Sequence, residues 1–492
     1  MHSRFFFYCC LLLPFLLPAQ AQLGYRPDPH AGINGTFLQP AAGVRTPYGL
    51  DVNLVHFSLG GSNNYAYLTD ISAAQLLRTD PDRISFEEEE LVGQADVPAG
   101  ETLIGYGFFS GSRRRHFFVS ADVLGPAFSV AVGENLRLGA FTRFRTEISG
   151  FGVDGEFSFT PYDGRAFGTT FPADLGRGGG AAWAEIGIHA SHRIEAAAGD
   201  WSVGANLRYL VPFEAGYFIG ETEFPFTKVN NTTIGGSGFA IETAVSNDWS
   251  TEEDYQLRAK GNGFGIDLGV QYAFLPDNND GYRATLGLSL LDIGLLHLDQ
   301  SSRQDRFATA DRTLVSTDNY EQPEGEFRLN RTIARFSTDV YGDSTASLVA
   351  RDFTLGLPTR LSLQFDYAFT GLVHLSTIYS GPVPVSRTAA RLGSPHRLAV
   401  VPRLQHWWGG LAFPVTIEQW QRIQVGTALR IGPLTLGTDR LFGTLLPRNR
   451  WAGADFYIGL KFHSLGTARN SKRGRTDRGG RARGREVKCY RF

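Results

Sequence analysis

Cysteine, methionine and long apolar stretches are all scarce in this chain of 492 residues. Cys9 and Cys10 lie in an N-terminal apolar run, and Cys489 is the only other cysteine. The chain downstream of that run therefore has neither an internal disulfide nor a cysteine-based metal site. No stretch approaches the roughly 18 uninterrupted apolar residues of a membrane helix. Motifs of nucleophile elbows, zinc proteases and phosphate loops are missing too. We therefore predict a non-enzymatic protein with no catalytic residues, cofactor or metal.

The N-terminal residues have the pattern of an export signal. Arg4 precedes the apolar residues 5–17, a run that is too short to span a bilayer as a helix. Ala19 and Ala21 then form a small-residue cleavage pattern. We predict that residues 1–21 are a signal peptide and that the mature chain begins at Gln22.

Glycine and aromatic residues are abundant, with 58 Gly and 13% aromatics. They occur in strand-length segments in which large apolar residues alternate with small or polar ones. The sharpest example is residues 455–462, where Phe456, Ile458, Leu460 and Phe462 share one face. A period of two with unlike faces is typical of a strand between lipid and a polar lumen.

Similar segments recur along the chain, and the links between them alternate between short and long. Short periplasmic turns and long outer loops are the rule in outer-membrane barrels. The sequence therefore predicts an all-β, antiparallel, transmembrane barrel of about fourteen strands, multi-pass in the outer membrane, with both ends periplasmic. The one exception is the brief link 418–419, which must then be a tight outer turn. The predicted strands are 48–59, 116–132, 135–146, 182–193, 200–211, 262–274, 282–293, 359–369, 372–380, 395–405, 410–417, 420–431, 433–440 and 455–462.

A secreted β-sandwich or propeller would also show alternation. A propeller should carry an internal repeat of roughly 40–50 residues, and none is found. Aromatic pairs at strand ends, such as Trp407 and Trp408, fit the two interfacial girdles of a membrane barrel. The pattern favours a barrel domain over residues 48–462.

Two flanking segments lack alternation. Residues 22–47 are rich in Gly and Pro, so we predict a plug segment inside the lumen. Residues 463–492 hold ten Lys or Arg against Asp477 and Glu486, with many Gly, and we predict a disordered periplasmic tail. Such a tail could bind an anionic cell-wall polymer or lipid headgroups by charge attraction. Nucleic acid is not expected in that compartment.

Glycine and proline interrupt two of the predicted strands, at Gly125 with Pro126 and at Pro212. Proline removes a ladder donor and bends a wall strand. Each position is either a bulge or strand end, or a break in the wall through which an apolar ligand leaves sideways. The sequence leaves both interpretations open.

Residues 36–41, Thr-Phe-Leu-Gln-Pro-Ala, look like the Asn-Pro-Ala element of a known lumenal hatch, with Gln in place of Asn. With residues 286–294, 357–367, 426–437 and 454–462, they resemble a family of outer-membrane barrels of unknown function. That family is itself similar to the long-chain fatty-acid transporter and to the shuttle barrel of type IX secretion. The resemblance implies a plug with Phe37, Leu38, Gln39 and Pro40 at its core. Relatives often continue into a cell-wall-binding domain, whereas this sequence has only the short basic tail.

Two functional hypotheses follow. The barrel passes a hydrophobic small molecule by a plug-and-lateral-exit route, or it is a non-transporting structural or assembly component of an outer-membrane complex. Expected partners are outer-membrane lipid, the barrel-assembly machinery and, for a transporter, a hydrophobic ligand.

The final alternating face is predicted to be the signal that the assembly machinery recognises. Phe462→Ala should reduce the amount of barrel in the outer membrane, because it removes the last apolar side chain of that face. Deleting residues 464–492 should leave insertion intact, because the tail has no alternation. Fractionation and heat-modifiable gel mobility measure both effects. Normal levels of the point variant together with loss of the truncated protein would reverse the assignment.

Overall fold

The structure of the protein is a computed structural model. It describes residues 22–464 apart from 70–78, 81–82, 91, 93–100, 112, 158–161, 163, 197–198, 247–256, 275–281, 321–328, 385–388, 441–449 and 451. The predicted signal peptide, residues 1–21, and the predicted tail from residue 465 onward lie outside the described residues. None of the helices in the described part is long and apolar enough to cross a membrane.

Fourteen antiparallel strands form the wall. They match the predicted segments in order and number. The strands, β1 to β14, are Leu50–Asn63, Arg115–Val132, Leu136–Val153, Arg177–Ala196, Gly199–Gly220, Gly261–Phe274, Ala284–Leu298, Phe353–Gly356 with Arg360–Ala368, Val373–Pro382, Arg397–Gln405, Gly409–Ala412 with Val415–Glu418, Arg422–Val425 with Thr427–Ile431, Leu434–Thr438 and Gly453–His463.

The first and last strands close the wall. In the β1–β14 pair, Val52 lies opposite Phe462 and Leu59 lies opposite Phe456. Lipid offers no hydrogen-bonding partner to an open strand edge, so a sheet can span a bilayer only as a closed ring. The all-β barrel predicted from the sequence is thus confirmed.

The two faces of the wall differ as alternation requires. Outward side chains are large and apolar, with Ile186 63% and Phe264 66% exposed. Inward side chains are mostly small, polar or charged, and Arg145 and Asn206 are fully buried. An apolar outer band around a polar lumen is the architecture of barrels that span the bacterial outer membrane. The protein is a multi-pass β-barrel of that membrane.

Several boundaries differ from the prediction. β1 begins at Leu50 rather than at residue 48, and His463, assigned to the tail, ends β14. β11 is interrupted before Val415, because Pro414 has no N–H to donate. β12 is interrupted opposite, at Gly426, whose N–H donates to the Pro414 carbonyl at 2.8 Å. The wall therefore stays hydrogen-bonded across both interruptions.

The link between β11 and β12 is the tight outer turn that the strand count required. Gln419 and Trp420 both adopt left-handed backbone, with φ of 49° and 57°. Two successive residues at positive φ characterise the type I′ turn of a hairpin.

The outer loops carry further secondary structure. Ala66–Thr69, Ile84–Glu88 and Thr102–Phe108 form a three-stranded sheet. Thr169–Ala173, Phe224–Lys228, Thr233–Gly236 and Thr313–Ser316 form a four-stranded sheet, and residues of the helix α1, Leu329–Tyr341, share its apolar core. Phe239–Val245, Arg303–Thr309 and Leu348–Ala350 extend the wall outward. Short 3-10 helices occupy Gly155–Phe157 and Thr317–Tyr320 in these loops. Two more, Pro29–Phe37 and Pro40–Arg45, belong to the N-terminal segment that precedes β1.

Candidate functional site

Residues 22–47 contact inward-facing groups on opposite sides of the wall. The Leu23 N–H donates to Asp439 at 2.8 Å, just beyond β13. The Ile33 N–H donates to Asp51 of β1 at 2.9 Å, and the Thr36 carbonyl accepts from Asn206 of β5 at 3.1 Å. Polar side chains of the wall thus satisfy backbone groups of this N-terminal segment, which has no strand partner of its own.

Phe37, predicted to be in the plug core, packs against β3. Its ring meets Phe141 edge to face with centroids 4.9 Å apart, and the Arg143 guanidinium lies 4.5 Å from its centroid. Ile33 shares this apolar cluster, while Leu38 belongs to a second one that includes Ile378 of β9. The apolar side chains of the segment therefore contact the wall on two sides.

Gln39 uses both ends of its amide. Its Oε1 accepts from the Ala41 N–H at 3.1 Å and caps the short helix Pro40–Arg45. Its Nε2 donates to the Val270 carbonyl of β6 at 3.1 Å and to Gln364 of β8 at 2.9 Å. One side chain thus caps the helix that starts at Pro40 and also binds it to the wall.

Three wall glycines face the Gln39–Pro40 turn, and no local sequence pattern marks them. Gly204 of β5 lies directly opposite Gly269 of β6, and Gly287 is on β7. A Cβ at Gly204 would overlap the Pro40 backbone, and one at Gly269 would overlap the Gln39 amide. A Cβ at Gly287 would lie 2.6 Å from Gln39 Nε2. We call these three residues the glycine track. They let the segment lie on bare wall backbone.

A lipid-facing groove of about 540 Å³ lies on the other side of the same strands. Gly204 and Gly269 contribute to it, and its remaining walls are mainly apolar, including Val203, Leu268 and Leu288. At the glycine track the wall is therefore little more than one backbone layer thick. The N-terminal segment lies on its inner side and an apolar groove on its outer side.

The residues predicted as a wall break lie in bulges. Pairing of β2 with β3 shifts register between Leu124 and Ala127, around Gly125 and Pro126. Both carbonyls are hydrogen-bonded, that of Gly125 to Asn53 at 3.0 Å and that of Pro126 to Thr142 at 3.2 Å.

Pro212 lies opposite Trp183 at a second register shift, and its carbonyl accepts from the Lys260 N–H at 2.9 Å. Strand pairing continues on both sides of the two bulges, which fits the bulge interpretation.

The predicted assembly signal lies on the lipid face of β14. Phe456, Ile458 and Phe462 are exposed, and Leu460 is half-buried. The alternate residues Tyr457 and Lys461 are buried on the lumen side. Recognition of this face by the assembly machinery stays a prediction.

A network of buried charges occupies the lumen beside the N-terminal segment. Arg26 of the segment bonds Asp122 at 3.1 Å, and Arg143 bonds the same carboxylate at 2.6 Å. Burial lowers the pKa of Arg26 to about 10, which still leaves it charged at neutral pH. The network comprises Arg26, Arg143, Arg145, Arg208 and Arg360 with Asp122, Glu147, Glu185, Asp267 and Asp292.

Asp292 of β7 is the centre of this network. Its carboxylate bonds Arg145 at 2.6 Å, Arg208 at 2.9 Å and Arg360 at 3.4 Å. Its backbone is left-handed, with φ of 55°, and its N–H donates to Asp267 at 2.7 Å. Three strands far apart in sequence thus meet on one carboxylate, and the sequence carried no signal of it.

Comparison with known proteins places the chain in a family. Residues 40–439, well over half of the chain, match a family of unknown function, DUF5723. The chain belongs to this family. The resemblance to barrels of unknown function is thereby confirmed, and no curated protein matches the chain.

Several solved structures are similar at low identity. A TodX monoaromatic hydrocarbon channel mutant is 10% identical with a TM-score of 0.40, over 88% of this chain and 95% of that one. The NalP autotransporter translocator domain of Neisseria meningitidis is 10% identical with a TM-score of 0.30, over 90% and 100%. The toluene transporter TodX of Pseudomonas putida is 8% identical with a TM-score of 0.26, over 87% and 92%.

Filling the glycine track should dislodge the N-terminal segment. Valine suits a strand, so Gly204→Val should leave the wall intact while its side chain overlaps the Pro40 backbone. Peptides covering residues 22–47 should then exchange amide hydrogens faster. Gly371→Val, at a site where a Cβ meets nothing within 4 Å, is the control. Equal exchange in the two variants would show that the track does not hold the segment.

Neutralising Asp292 should destabilise the barrel. Asn keeps the shape and tolerates left-handed backbone, but it leaves the buried Arg145 and Arg208 and the half-buried Arg360 short of a counter-charge. Loss of one partner of a buried pair costs roughly 3–5 kcal/mol. Asp292→Asn should therefore lower the temperature at which folded gel mobility is lost. The exposed Asp299→Asn should not change it. An unchanged transition in Asp292→Asn would mean that the network adds no stability.

Proposed function

We propose that the protein is a gated outer-membrane transporter in which residues 22–47 close the lumen. The transported substance would be a hydrophobic small molecule that leaves sideways through the wall. The observation that carries it is the Gln39–Pro40 turn, which lies on the glycine track directly behind an apolar, lipid-facing groove.

The contacts of residues 22–47 support a segment that closes the lumen but can be displaced from the wall. Gln39 is held by hydrogen bonds of its side chain, and Leu23 and Ile33 by one backbone hydrogen bond each, rather than by a strand ladder. The net contribution of such a hydrogen bond is about 1 kcal/mol between neutral groups and roughly 1.5–3 kcal/mol to a charged acceptor such as Asp51, because folding exchanges it for hydrogen bonds to water. A segment held in this way can be displaced without unpairing the strands.

The glycine track is the candidate for the lateral route, in place of the bulges at Gly125 and Pro212. Side chains do not interlock on the inner face there, because Gly204 and Gly269 lie directly opposite each other. The groove behind them offers an apolar molecule a lipid-facing surface next to the point where the segment is seated.

A second candidate is a non-transporting component of an outer-membrane complex. The observation that favours it is the outer loop domain, in which helix α1 and the four-stranded sheet share an apolar core around Phe171, Phe224 and Phe307. A folded loop domain offers a partner a rigid surface. The buried charge network would then serve to keep the lumen filled.

Removing the segment should open a pore. In planar bilayers the intact protein should show little steady conductance, and a variant lacking residues 24–44 should conduct ions in resolvable steps. The deletion removes the apolar contacts of Ile33 and Phe37, and it takes Arg26 out of the charge network. What remains is a lumen lined by charged side chains that water and ions can enter.

A variant lacking residues 465–492 is the control, because it also shortens the chain but removes none of the described residues of the lumen. The transport proposal is wrong if the intact protein and the variant lacking residues 24–44 conduct alike. It is also wrong if the variant lacking 24–44 is folded and stays sealed. Either result would favour the structural component.

A further inference from the structure

Residues 389–396, in the loop between β9 and β10, lie across the outer half of the lumen. The Gly393 N–H donates to Ser149 of β3 at 2.7 Å, on the far side of the strand ring. The Leu392 N–H donates to the Gly356 carbonyl of β8 at 3.0 Å and its side chain enters the outer apolar core. A cavity of about 180 Å³ lies between this loop and the wall.

Three basic side chains and three neutral polar ones line this cavity. Arg177, Arg391 and His396 line it, and no acidic residue does among the described ones. Burial lowers the pKa of Arg391, and no described carboxylate offsets that effect. The Ser394 hydroxyl oxygen, also in the lining, is buried and has no hydrogen-bonding partner in the described part of the chain. Arg145 and Arg208, elsewhere in the lumen, have carboxylate partners, whereas the described lining of this cavity has basic side chains and no carboxylate.

The lining also has an apolar and partly aromatic portion. Phe118 and Phe151 line one side, and Leu392 lines another. The Arg177 guanidinium lies 4.3 Å from the Phe151 ring centroid, so one cation stands directly over an aromatic face. Guanidinium groups bind carboxylates through paired, charge-assisted hydrogen bonds, and aromatic rings pack against flat apolar bodies.

We propose that this cavity binds a small aromatic carboxylate. Its carboxylate would meet Arg391, His396 and the Ser394 hydroxyl, and its ring would pack among Phe118, Phe151 and Leu392. The cavity volume limits the ligand to a small molecule and leaves no room for a long acyl chain. The role of this cavity as an outer entry site rests on the proposed transport function, but binding to it is measured without transport.

Benzoate and benzamide are matched probes, because they share a shape and differ in charge. Isothermal titration of the full-length protein in detergent should show saturable binding of benzoate, with benzamide about tenfold weaker or more. Arg391→Gln should weaken benzoate binding about tenfold, and Arg391→Lys should restore part of it. Arg306→Gln removes an outer arginine that is 54% exposed, and it should bind as the unaltered protein does.

Heat-modifiable mobility verifies that each variant is folded. Absence of benzoate binding, equal affinity for benzamide, or unaltered binding by folded Arg391→Gln would each overturn the inference. Sulfate competing as well as benzoate would overturn the aromatic class, because the site would then take any anion. If benzoate binds while the variant lacking 24–44 stays sealed, the transport proposal alone fails. If that variant conducts and benzoate does not bind, only the present inference fails.

Discussion

The wall depends on one constraint, which is that its backbone amides must be paired within the ring because lipid offers them no partner. Pairing of β1 with β14 removes the last open edge. The same constraint explains how the wall accommodates three of its prolines. Pro126 and Pro212 lie at register shifts, and Pro414 lies where β11 is interrupted, with its carbonyl still accepting from Gly426. These three missing donors are thus placed where the ladder already deviates.

Closure of the wall creates a second requirement inside it. Alternation places apolar side chains toward lipid and polar side chains toward the lumen. There the polar side chains are buried unless water fills the lumen. The protein meets this by pairing the charges with one another and with residues 22–47. Arg26 bonds Asp122, and Lys461 bonds Asp51 at 2.7 Å and the His30 carbonyl at 2.5 Å. Removing one partner from such a pair is costly, so lumen and segment are mutually dependent.

The outer cavity differs from the rest of the lumen in how its charges are paired. Most lumenal arginines are neutralised by carboxylates from other strands, as Arg145 and Arg208 are by Asp292. Arg391 is different, because the loop that carries it reaches across the lumen to Ser149 and brings no acid with it. A surplus of positive charge beside Phe118 and Phe151 is a property of this loop's path rather than of the barrel architecture.

The sequence predicted the wall well because its signal is local. The alternation of Phe456, Ile458 and Phe462 sets their face within a single strand, and link lengths set strand order. Boundaries were less accurate where strands extend beyond the membrane, as β5 does to Gly220, since apolar alternation stops at the lipid surface.

Within residues 22–47, Phe37 and Gln39 could be singled out by resemblance, and both contact the wall. The glycine track and Asp292 could not be found in this way. Gly204 meets Gly269, and Asp292 meets Arg145, only through pairing between strands that are distant in the chain. The sequence by itself determined which side of each strand faces lipid, because a pleat has a period of two. The tertiary structure alone decided which inward residues meet, because ring order and register are set by closure of all fourteen strands together.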